Sequence, residues 1–406
     1  MKTILLTLAI LLSASSTISA NELIFGTIFE NKGVNALTAQ EAMNGAILAV
    51  KKFNESSPNL KIKLKCETCT RDPLEIMKTV HNLSKTKGIS AAVGIVSEDA
   101  ALSAAPTFQE LQLPFICSGA QLIGLTNSKT PDIFTLAVPD NKIGSDLAKY
   151  TISTLQAGHI FLIRSDMKDS TAHQAESFTS EFTAKGGKIL SELRITEPNP
   201  DLSYIMKAID AFAPLPQSDS TTTDKGIVAS EYSDSDAEII TQQRSSPPEI
   251  QQIEAVVILA PARVSAHLLR LMQKKQMAYN VVGGTSFDTV EIKKSIAAWS
   301  GTIVFASQAS LTREDNLVTL FVKDYAELFG KKPQTGYSAL GFDSILLLAE
   351  AAEKIGNTSV NIRANLPTIK NFQGVSGNIS FTGGSAQKPL YIIQSNAGKI
   401  SLADEM

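Results

Sequence analysis

The sequence predicts an α/β protein with two domains, each built around a parallel sheet, and two observations point to this class. Short apolar runs typical of buried strands alternate with stretches of helical periodicity along most of the 406 residues. Strands that alternate with helices form parallel sheets whose faces are both covered by helices. The chain is also longer than one hydrophobic core usually serves, so we expect two domains.

The alternation begins with a strand over Leu23–Phe29, and a helix follows it. Thr38 and Glu41 have the spacing of a capping box, which predicts that this helix starts at Thr38. After a second strand that alternates apolar residues with lysines, Asp72 and Pro73 supply an N-cap and a first-turn proline for the next helix.

The same alternation continues through the rest of the chain. Further strands are predicted over Ala91–Val96, Pro114–Cys117, Ile133–Val138, His159–Ile163, Lys188–Ile195, Ala255–Leu259, Val281–Gly283 and Thr302–Phe305. Further helices are predicted over Ser97–Gln112, Lys142–Leu155, Thr171–Lys185, Leu202–Phe212, Ser265–Lys275, Arg313–Phe329 and Thr335–Ile355. Residues 214–249 interrupt the pattern, since they are rich in Ser, Asp, Thr and Pro and predict a polar, flexible insertion.

The first 20 residues have the features of a secretory signal peptide. Lys2 precedes the uncharged apolar stretch Ile4–Leu12, and small residues then lead to Ala20. The apolar stretch is shorter than the roughly 20 residues that a membrane span requires. We therefore expect cleavage after Ala20 and a soluble mature protein in the periplasm.

Composition excludes some classes of partner and covalent framework. The net charge of −3 and the absence of a basic stripe argue against nucleic-acid binding. Three cysteines, Cys66, Cys69 and Cys117, are too few for a disulfide framework but allow one bridge, between Cys66 and Cys69. In an extended strand those two Cα atoms would lie roughly 10 Å apart, beyond the roughly 7 Å that a disulfide tolerates. A bridge would therefore require a turn starting at Glu67.

The sequence offers no set of residues for catalysis. No GxSxG elbow is present, and the SxxK matches at Ser84 and Ser165 lack the partner motifs of the enzymes that use them. The four histidines are scattered singly, and phosphate-binding glycine loops are absent. We therefore predict no catalytic residue, no metal site and no cofactor.

Polar residues instead follow the predicted strands, where open parallel sheets bind ligands. Ser97 and Glu98 follow the strand Ala91–Val96 and open a helix, whose free N–H groups and hydroxyl suit an anionic or polar ligand group. An equally good interpretation is that Ser97 or Asp99 only caps this helix.

A second polar loop follows the strand Pro114–Cys117. Its residues are Ser118, Gly119, Ala120 and Gln121. Gly119, which lacks a Cβ atom, would allow a ligand to approach the backbone closely.

Six stretches of the chain, taken in order, resemble the type I periplasmic binding proteins, specifically the branched-chain amino-acid binding family of ABC importers. They are Asn44–Asn54 (NGAILAVKKFN), Val93–Pro106 (VGIVSEDAALSAAP), Leu113–Thr126 (LPFICSGAQLIGLT), Val138–Tyr150 (VPDNKIGSDLAKY), Gly336–Asn357 (GYSALGFDSILLLAEAAEKIGN) and Gly374–Gly384 (GVSGNISFTGG). Together they extend over nearly the whole mature length.

The resemblance implies a Venus-flytrap fold of two α/β lobes that close on a ligand by hinge motion. Lobe 1 would comprise residues 21–139 and 307–388, and lobe 2 residues 140–306 and 389–406. The three crossings between the lobes would lie near Val138–Asp140, Ala306–Gln308 and Lys388–Tyr391.

The resemblance also implies ligand contacts, and this chain departs from the family at several of them. Glu98 stands where the family has a serine, Gln121 replaces a threonine, and Gly119 is retained. Thr285 aligns with the acid that pairs with a substrate ammonium, and Asp169 with a tyrosine of the second lobe.

These departures leave the ligand class open. Glu98 would repel a carboxylate, whereas Glu98 or Asp169 could receive an amine, and an amide could bond to Glu98 and Gln121 together. Phe29 and Arg263 lie at a strand end and a helix start that could also reach the cleft, although core packing explains Phe29 equally well.

Taken together, the resemblance implies a solute-binding subunit that captures an amino acid or another small polar solute, such as an amide or amine. We expect a monomer that docks on an ABC permease in the inner membrane. The alternative is a sensory or regulatory binding module of the same fold, which the divergent cleft and the polar insertion favour slightly. An exported hydrolase is a third interpretation, and none of the motifs above supports it.

Overall fold

The computed structural model describes residues 21–122, 126, 132–167, 169–212 and 252–406, and it divides into two compact units. Unit 1 contains the described residues up to Ala137 together with Glu314–Lys388. Unit 2 contains those of Val138–Arg313 together with Pro389–Met406. The chain therefore passes between the units three times. The predicted signal peptide at 1–20 and the predicted insertion at 214–249 lie outside the described residues.

Unit 1 begins with strands and helices in alternation. The strands are β1 (Asn21–Glu30), β2 (Leu60–Cys69), β3 (Ile89–Gly94), β4 (Phe115–Cys117) and β5 (Ile133–Thr135). The helices are α1 (Ala36–Ser56), α2 (Pro73–Ser84) and α3 (Glu98–Glu110).

Unit 2 repeats this arrangement. Its helices are α4 (Asp140–Ser153), α5 (Ser170–Ala184), α6 (Ser203–Asp210), α7 (Ala262–Lys274) and α8 (Lys293–Ala298), with a 3₁₀ turn at Thr285–Asp288. Its strands are β6 (His159–Ser165), β7 (Lys188–Ile195), β8 (Ala255–Leu259), β9 (Asn280–Gly283) and β10 (Thr302–Ser307).

The chain then returns to unit 1 and ends in unit 2. The returning elements are α9 (Asn316–Phe329), α10 (Tyr337–Ile355), α11 (Ser359–Asn365), a 3₁₀ turn at Leu366–Thr368, β11 (Phe372–Gly374), β12 (Gly377–Thr382) and β13 (Ser385–Gln387). The last two strands, in unit 2, are β14 (Tyr391–Asn396) and β15 (Lys399–Glu405).

The two sheets share one doubly wound topology, which confirms the predicted fold class. The parallel strands run in the order β2-β1-β3-β4-β5 in unit 1 and β7-β6-β8-β9-β10 in unit 2. The strand order therefore reverses between β1 and β3 and again between β6 and β8. Ligands of such sheets bind beyond the carboxyl ends of the strands at this reversal.

Antiparallel strands extend both sheets, so the sheets are mixed rather than wholly parallel. In unit 1, β12 pairs with β11 and β13, and in unit 2, β14 pairs with β10 and β15. The sequence pattern predicted no strands after Phe305. Alternate residues of β12 are buried, and the others are exposed or partly so, so this stretch lacks the continuous apolar run that marked the earlier strands.

Two predicted boundaries differ from the observed ones. Val138 and Pro139 belong to unit 2 rather than to the first lobe, and so does the longer segment 307–313. Ser307 is the last residue of β10, and its hydroxyl donates to the Asp288 carboxylate at 2.6 Å. Arg313 donates to the Tyr391 hydroxyl and lies 5.5 Å from the centre of that ring. These contacts hold the segment to unit 2.

The first two helices test the capping predictions. Helix α2 begins as expected, because the Asp72 carboxylate accepts from the Leu74 and Glu75 N–H groups at 2.8 and 3.3 Å. Helix α1 does not, since it begins at Ala36 without a side-chain cap. The Glu41 carboxylate instead accepts from the Gln334 N–H at 2.7 Å, so a tertiary contact replaces the expected capping box.

Close backbone packing joins α1 to α10. A Cβ atom at Gly45 would lie 1.9 Å from the Ser338 carbonyl oxygen, and one at Gly341 would lie 1.9 Å from that of Ala42. Neither position has room for a side chain. The two glycines therefore let the helices approach until their backbones touch.

Each sheet is buried by apolar side chains. In β6, Phe161 and Ile163 enter one core cluster, while Ile160 and Leu162 enter another on the opposite face. A cluster in unit 1 contains Phe115 and Cys117 together with residues of β1 to β3 and of α2 and α3. No helix of the described ranges is long and apolar enough to cross a membrane.

The bridge considered between Cys66 and Cys69 does not form. Strand β2 continues through Cys69, and Glu67 pairs with Ile28 of β1 instead of starting a turn. Both thiols are free, with Cys66 exposed and Cys69 buried. An offset of three residues in a strand places the two side chains on opposite faces.

Candidate functional site

A buried carboxylate occupies the point in unit 1 where the strand order reverses. Glu30 is the last residue of β1, and its side chain is only 3 % exposed. Its Oε1 accepts from the Ser97 N–H at 2.8 Å and from the Ser97 hydroxyl at 2.7 Å, and its Oε2 accepts from the Val96 N–H at 3.1 Å. Glu30 therefore fastens the end of β1 to the loop after β3.

This arrangement excludes one of the two interpretations of Ser97, which was predicted either to bind a ligand or to cap α3. Ser97 lies at the N-cap position with an extended backbone, but its side chain caps nothing. The hydroxyl donates to Glu30 instead. Asp99, the other candidate cap, pairs with Arg71, whose Nε lies 2.9 Å from its carboxylate. Glu98, the first residue of α3, is partly exposed.

Burial dominates the electrostatics of this region. It raises the pKa of Glu30, against the opposing effect of the bonds from Ser97 and Val96. Burial likewise raises the pKa of the Cys69 and Cys117 thiols to about 12. The Glu30 charge adds to both of these shifts, and the Glu98 charge adds to that of Cys117. The Glu30 and Glu98 carboxylates thus both raise the pKa of the Cys117 thiol.

The second predicted loop is held mainly by contacts inside unit 1. Ser118 is fully buried, and its hydroxyl lies 3.1 Å from that of Ser344. The single Ser344 hydrogen is donated to the Leu340 carbonyl at 2.7 Å, so Ser118 is the donor of the pair. Ala120 is buried, and Gln121 is partly exposed.

Gly119 and Phe29 have structural explanations that need no ligand. A Cβ atom at Gly119 would lie 2.8 Å from the Val96 Cα and 2.8 Å from Cε1 of Tyr337. The glycine is therefore required by the packing of its own unit. Phe29 is 3 % exposed within β1, where it pairs with Thr68, and this favours the core interpretation of its side chain.

In unit 2, Asp169 caps a helix. It is the N-cap of α5, and its Oδ1 accepts from the Ala172 N–H at 2.9 Å and the Thr171 hydroxyl at 2.7 Å. Its Oδ2 accepts from the Ser165 hydroxyl at 3.1 Å. An amine bound at Asp169 would have to share a carboxylate that already accepts three hydrogen bonds.

Thr285 belongs to a buried polar cluster that was not predicted from the sequence. Its hydroxyl accepts from the Gln174 Nε2 at 2.9 Å, and its N–H donates to the Gln174 Oε1 at 3.2 Å. The same Nε2 and the Ser170 hydroxyl each lie 2.7 Å from Oδ1 of Asp140, to which both donate. Burial raises the pKa of Asp140, while Gln174 and Ser170 oppose the shift.

The structure thus brings Thr285 together with Asp140, Ser170 and Gln174, but not with Arg263. Arg263 is exposed at the second position of α7, after β8. The four-residue spacing of Ser170 and Gln174 on α5 was a signal for one face of this cluster. For Glu30 the signal was an acid directly after the apolar run of β1.

Two other features of the described residues bear on ligands. A pocket of about 340 Å³ lies at the carboxyl ends of β1 and β2, and none of the predicted ligand-binding residues lines it. Its lining is Asn31, Lys32, Thr68, Cys69, Thr70, Glu75, Lys78 and Thr79. Within the described ranges, no group of three His, Cys, Asp or Glu side chains could hold a metal ion.

Comparison with known proteins identifies the family and the fold of this chain. The family model described as periplasmic binding protein matches residues 23–399. No curated protein matches the chain in sequence. Solved structures match it in fold at low sequence identity.

Three of these structures span nearly the whole chain. The branched-chain amino acid transporter substrate-binding protein LivJ from Streptococcus pneumoniae, in complex with isoleucine, has a TM-score of 0.77 at 21% identity, covering 95% of this chain and 100% of LivJ. The leucine-binding protein LivK from Thermotoga maritima has a TM-score of 0.75 at 16% identity, covering 95% and 98%. An ABC transporter solute-binding protein from R. palustris, in complex with benzoate, has a TM-score of 0.73 at 13% identity, covering 95% and 96%.

The family model covers far more than half of the chain, and the neighbours share the two α/β lobes with mixed, mostly parallel sheets. The chain therefore belongs to the periplasmic binding protein family and has the fold of its type I members.

Proposed function

We propose that this chain is the extracytoplasmic solute-binding subunit of an ABC importer. In this role its two lobes close by hinge motion on an amino acid or another small polar solute, such as an amide or amine, and perform no chemistry on it. Binding drives closure only if the closed form holds the solute more tightly than the open form does.

The observation that carries the proposal is the position of the polar residues within each unit. Ser97 and Glu98 follow β3, while Thr285 follows β9, and both loops lie at carboxyl ends of parallel strands. This is the edge at which open α/β sheets bind ligands. The solutes in the neighbouring structures, isoleucine and benzoate, support a small organic molecule as the class.

The proposal includes a compartment and a partner. The signal-peptide features of residues 1–20 support export to the periplasm, where a monomer would deliver its solute to an inner-membrane permease. The family to which the chain belongs supports such a transport role. No nucleic acid takes part.

A thermal-shift screen of the mature chain, residues 21–406, tests solute capture. The panel contains amino acids, amides, amines and small organic acids. A solute that binds only the native state stabilises it by about 2.7 kcal/mol at a concentration of 100 times Kd, which raises Tm by several degrees. If no member of the panel raises Tm, solute capture is wrong.

The variant Glu98→Ser tests whether the loop after β3 contacts the solute. Restoring the family's serine should increase affinity for amino acids, measured by titration calorimetry. Glu110→Ser is the matched control, because Glu110 is exposed at the other end of the same helix. Equal affinities in the wild type and in both variants would remove Glu98 from the site.

A further inference from the structure

Glu30 has no part in the family resemblance, yet it lies at the reversal of strand order in unit 1. We propose that Glu30 is a specificity-determining residue, which makes the loop after β3 an acceptor of hydrogen bonds from the solute. The solute would then present an ammonium or amide N–H group to Ser97, and not a carboxylate. This inference rests on the proposed function and names the chemistry of the solute.

The direction of the Ser97 bond carries the argument. A serine hydroxyl has one hydrogen and two lone pairs. Its hydrogen is donated to the Glu30 Oε1 at 2.7 Å, so Ser97 can offer a solute only lone pairs. Both Glu30 oxygens also accept from backbone N–H groups, which is the pattern of an ionised carboxylate that acts only as an acceptor.

The same bonds occupy three donors that an anion could otherwise use. A loop that opens a helix attracts anions through its backbone N–H groups and nearby hydroxyls. Here the Val96 N–H, the Ser97 N–H and the Ser97 hydroxyl all donate to Glu30. The protein's own carboxylate thus fills the role that a solute carboxylate would otherwise take.

Charge reinforces this effect. Glu98 adds a second carboxylate at the start of α3. A solute carboxylate next to Ser97 would meet like charge from both Glu30 and Glu98, and a protonated amine would meet opposite charge. Hydrogen bonding and charge therefore favour the same class of head group.

The variant Glu30→Gln separates this role from a purely structural one. The glutamine Oε1 can still accept a backbone N–H, but its Nε2 can only donate. The oxygen would face Ser97, because the Ser97 N–H, the Ser97 hydroxyl and the Val96 N–H all reach Oε1. The variant would thus keep these bonds while it removes the negative charge that repels a solute carboxylate. The variant should therefore shift specificity towards carboxylates. A residue that only held the loop in place would weaken all solutes alike when changed.

The experiment compares three head groups on each of two carbon skeletons by titration calorimetry at pH 7. The probes are benzylamine, benzamide and benzoate, and 3-methylbutylamine, 3-methylbutanamide and 3-methylbutanoate. If the screen above finds a solute of another skeleton, the amine, amide and carboxylate of that skeleton replace them. Wild-type protein should bind the amine or the amide at least tenfold more tightly than the carboxylate. In Glu30→Gln this ratio should fall at least tenfold.

Two further variants keep the result interpretable. Ser97→Ala removes the acceptor while leaving Glu30 in place, and it should weaken the amine and amide without strengthening the carboxylate. Glu110→Gln removes one charge from the exposed end of α3 and should leave the ratio unchanged. Tm measured without solute identifies a variant that fails to fold, and in that case Ser97→Ala alone decides the inference.

The two proposals fail in different ways. If wild-type protein binds the carboxylate most tightly, or if Glu30→Gln changes all three affinities by the same factor, the inference about Glu30 is wrong while solute capture stands. If no solute of the whole panel binds, the proposed function is wrong and this inference falls with it.

Discussion

Each unit buries a carboxylate near the carboxyl ends of its parallel strands, but the two carboxylates have different partners. In unit 1, Glu30 accepts two backbone N–H groups and one hydroxyl from the loop after β3. In unit 2, Asp140 accepts side-chain groups, the Gln174 amide and the Ser170 hydroxyl. Burial raises the pKa of both acids.

This difference in partners determines how rigidly each carboxylate holds the residues around it. A backbone N–H that loses its acceptor cannot turn elsewhere, so Glu30 fixes the course of its loop. The Gln174 amide, by contrast, also lies 3.1 Å from the Ser170 hydroxyl and 2.9 Å from that of Thr285. The cluster in unit 2 can therefore redistribute its bonds when one partner changes. We expect unit 1 to set head-group specificity and unit 2 to adapt to the solute.

The largest expected effect separates Glu30→Ala from Asp140→Ala. A buried donor left without a partner costs about 1–3 kcal/mol, and Glu30→Ala leaves two backbone donors and a hydroxyl unpaired. We expect it to lower the free energy of unfolding by roughly 3 kcal/mol. Asp140→Ala should lower it by only about 1 kcal/mol, because its side-chain donors can bond to each other. Denaturant titration followed by circular dichroism measures both.

The chain supplies a probe for unit 2 alone. Its only tryptophan, Trp299, is buried in the core of unit 2. The Trp299 fluorescence transition should move with Asp140→Ala and stay near its wild-type position with Glu30→Ala. Equal losses in the two variants, or a Trp299 transition that moves only with Glu30→Ala, would contradict the comparison.

A smaller effect is expected from two glycines that pack against residues bonded to the two acids, Gly119 against Val96 and Gly284 against Gln174. Gly119→Ala forces a methyl group against the Val96 backbone and the Tyr337 ring, both 2.8 Å away. Gly284→Ala meets first the Gln174 Oε1, at 2.3 Å, which lies at the end of a flexible side chain. Overpacking a tight site costs about 1–3 kcal/mol. We expect that full loss at Gly119 and less at Gly284, with thermal unfolding as the measurement.

Gly330→Ala is not a suitable control for this pair, because Gly330 has a φ of 72° and any side chain would strain it. Leu102→Ala on α3 serves better, since it removes an exposed side chain and should change Tm little. A larger loss at Gly284 than at Gly119 would show that the cluster in unit 2 is the more rigid of the two.

The sequence predicted the parts of this molecule that depend on neighbours along the chain. The buried strand Ala255–Leu259 was predicted with its observed bounds, since five apolar residues in a row fill both faces of a sheet. The cap at Asp72 was also correct, because its partners are two and three residues away. Such local patterns gave the fold class and most of the strands that carry the candidate site.

Contacts between distant residues were not visible in the same way. Glu30 and Ser97 lie 67 positions apart, and Gln174 and Thr285 lie 111 apart. Only the fold brings these pairs together. Glu41 shows the same limit, because its capping-box spacing was outweighed by a bond to Gln334 across 293 positions.

The pH dependence of stability should distinguish charge from hydrogen bonding at the two acids. A raised pKa means that folding favours the protonated acid, so this contribution is present below the ordinary pKa and is lost as pH rises through the folded value. Asp140→Asn and Glu30→Gln lack it. The stability of each variant relative to the wild type should therefore rise from pH 4 to pH 8, measured as the difference in Tm.

The two amide variants should differ in their starting point. Asp140→Asn keeps an oxygen for the two donors that now share Oδ1, whereas Glu30→Gln replaces one of two accepting oxygens with a donor. We expect Asp140→Asn to match or exceed the wild type at pH 8 and Glu30→Gln to remain below it. A relative stability that falls with pH in either variant would show that folding favours the charged form of the acid that the variant replaces.

The smallest effect concerns thiol reactivity, which reports on unit 1 because all three cysteines lie there. Cys66 is exposed and should react with a maleimide at once, while Cys69 and Cys117 are buried, with pKa values raised to about 12, and should react only after local opening. Since Glu30 holds the loop beside both buried thiols, Glu30→Ala should speed their labelling several-fold. Asp140→Ala should leave it unchanged. Mass spectrometry of the labelled protein over time counts the modified thiols. Equal labelling rates in the two variants would mean that Glu30 does not protect the buried thiols from solvent.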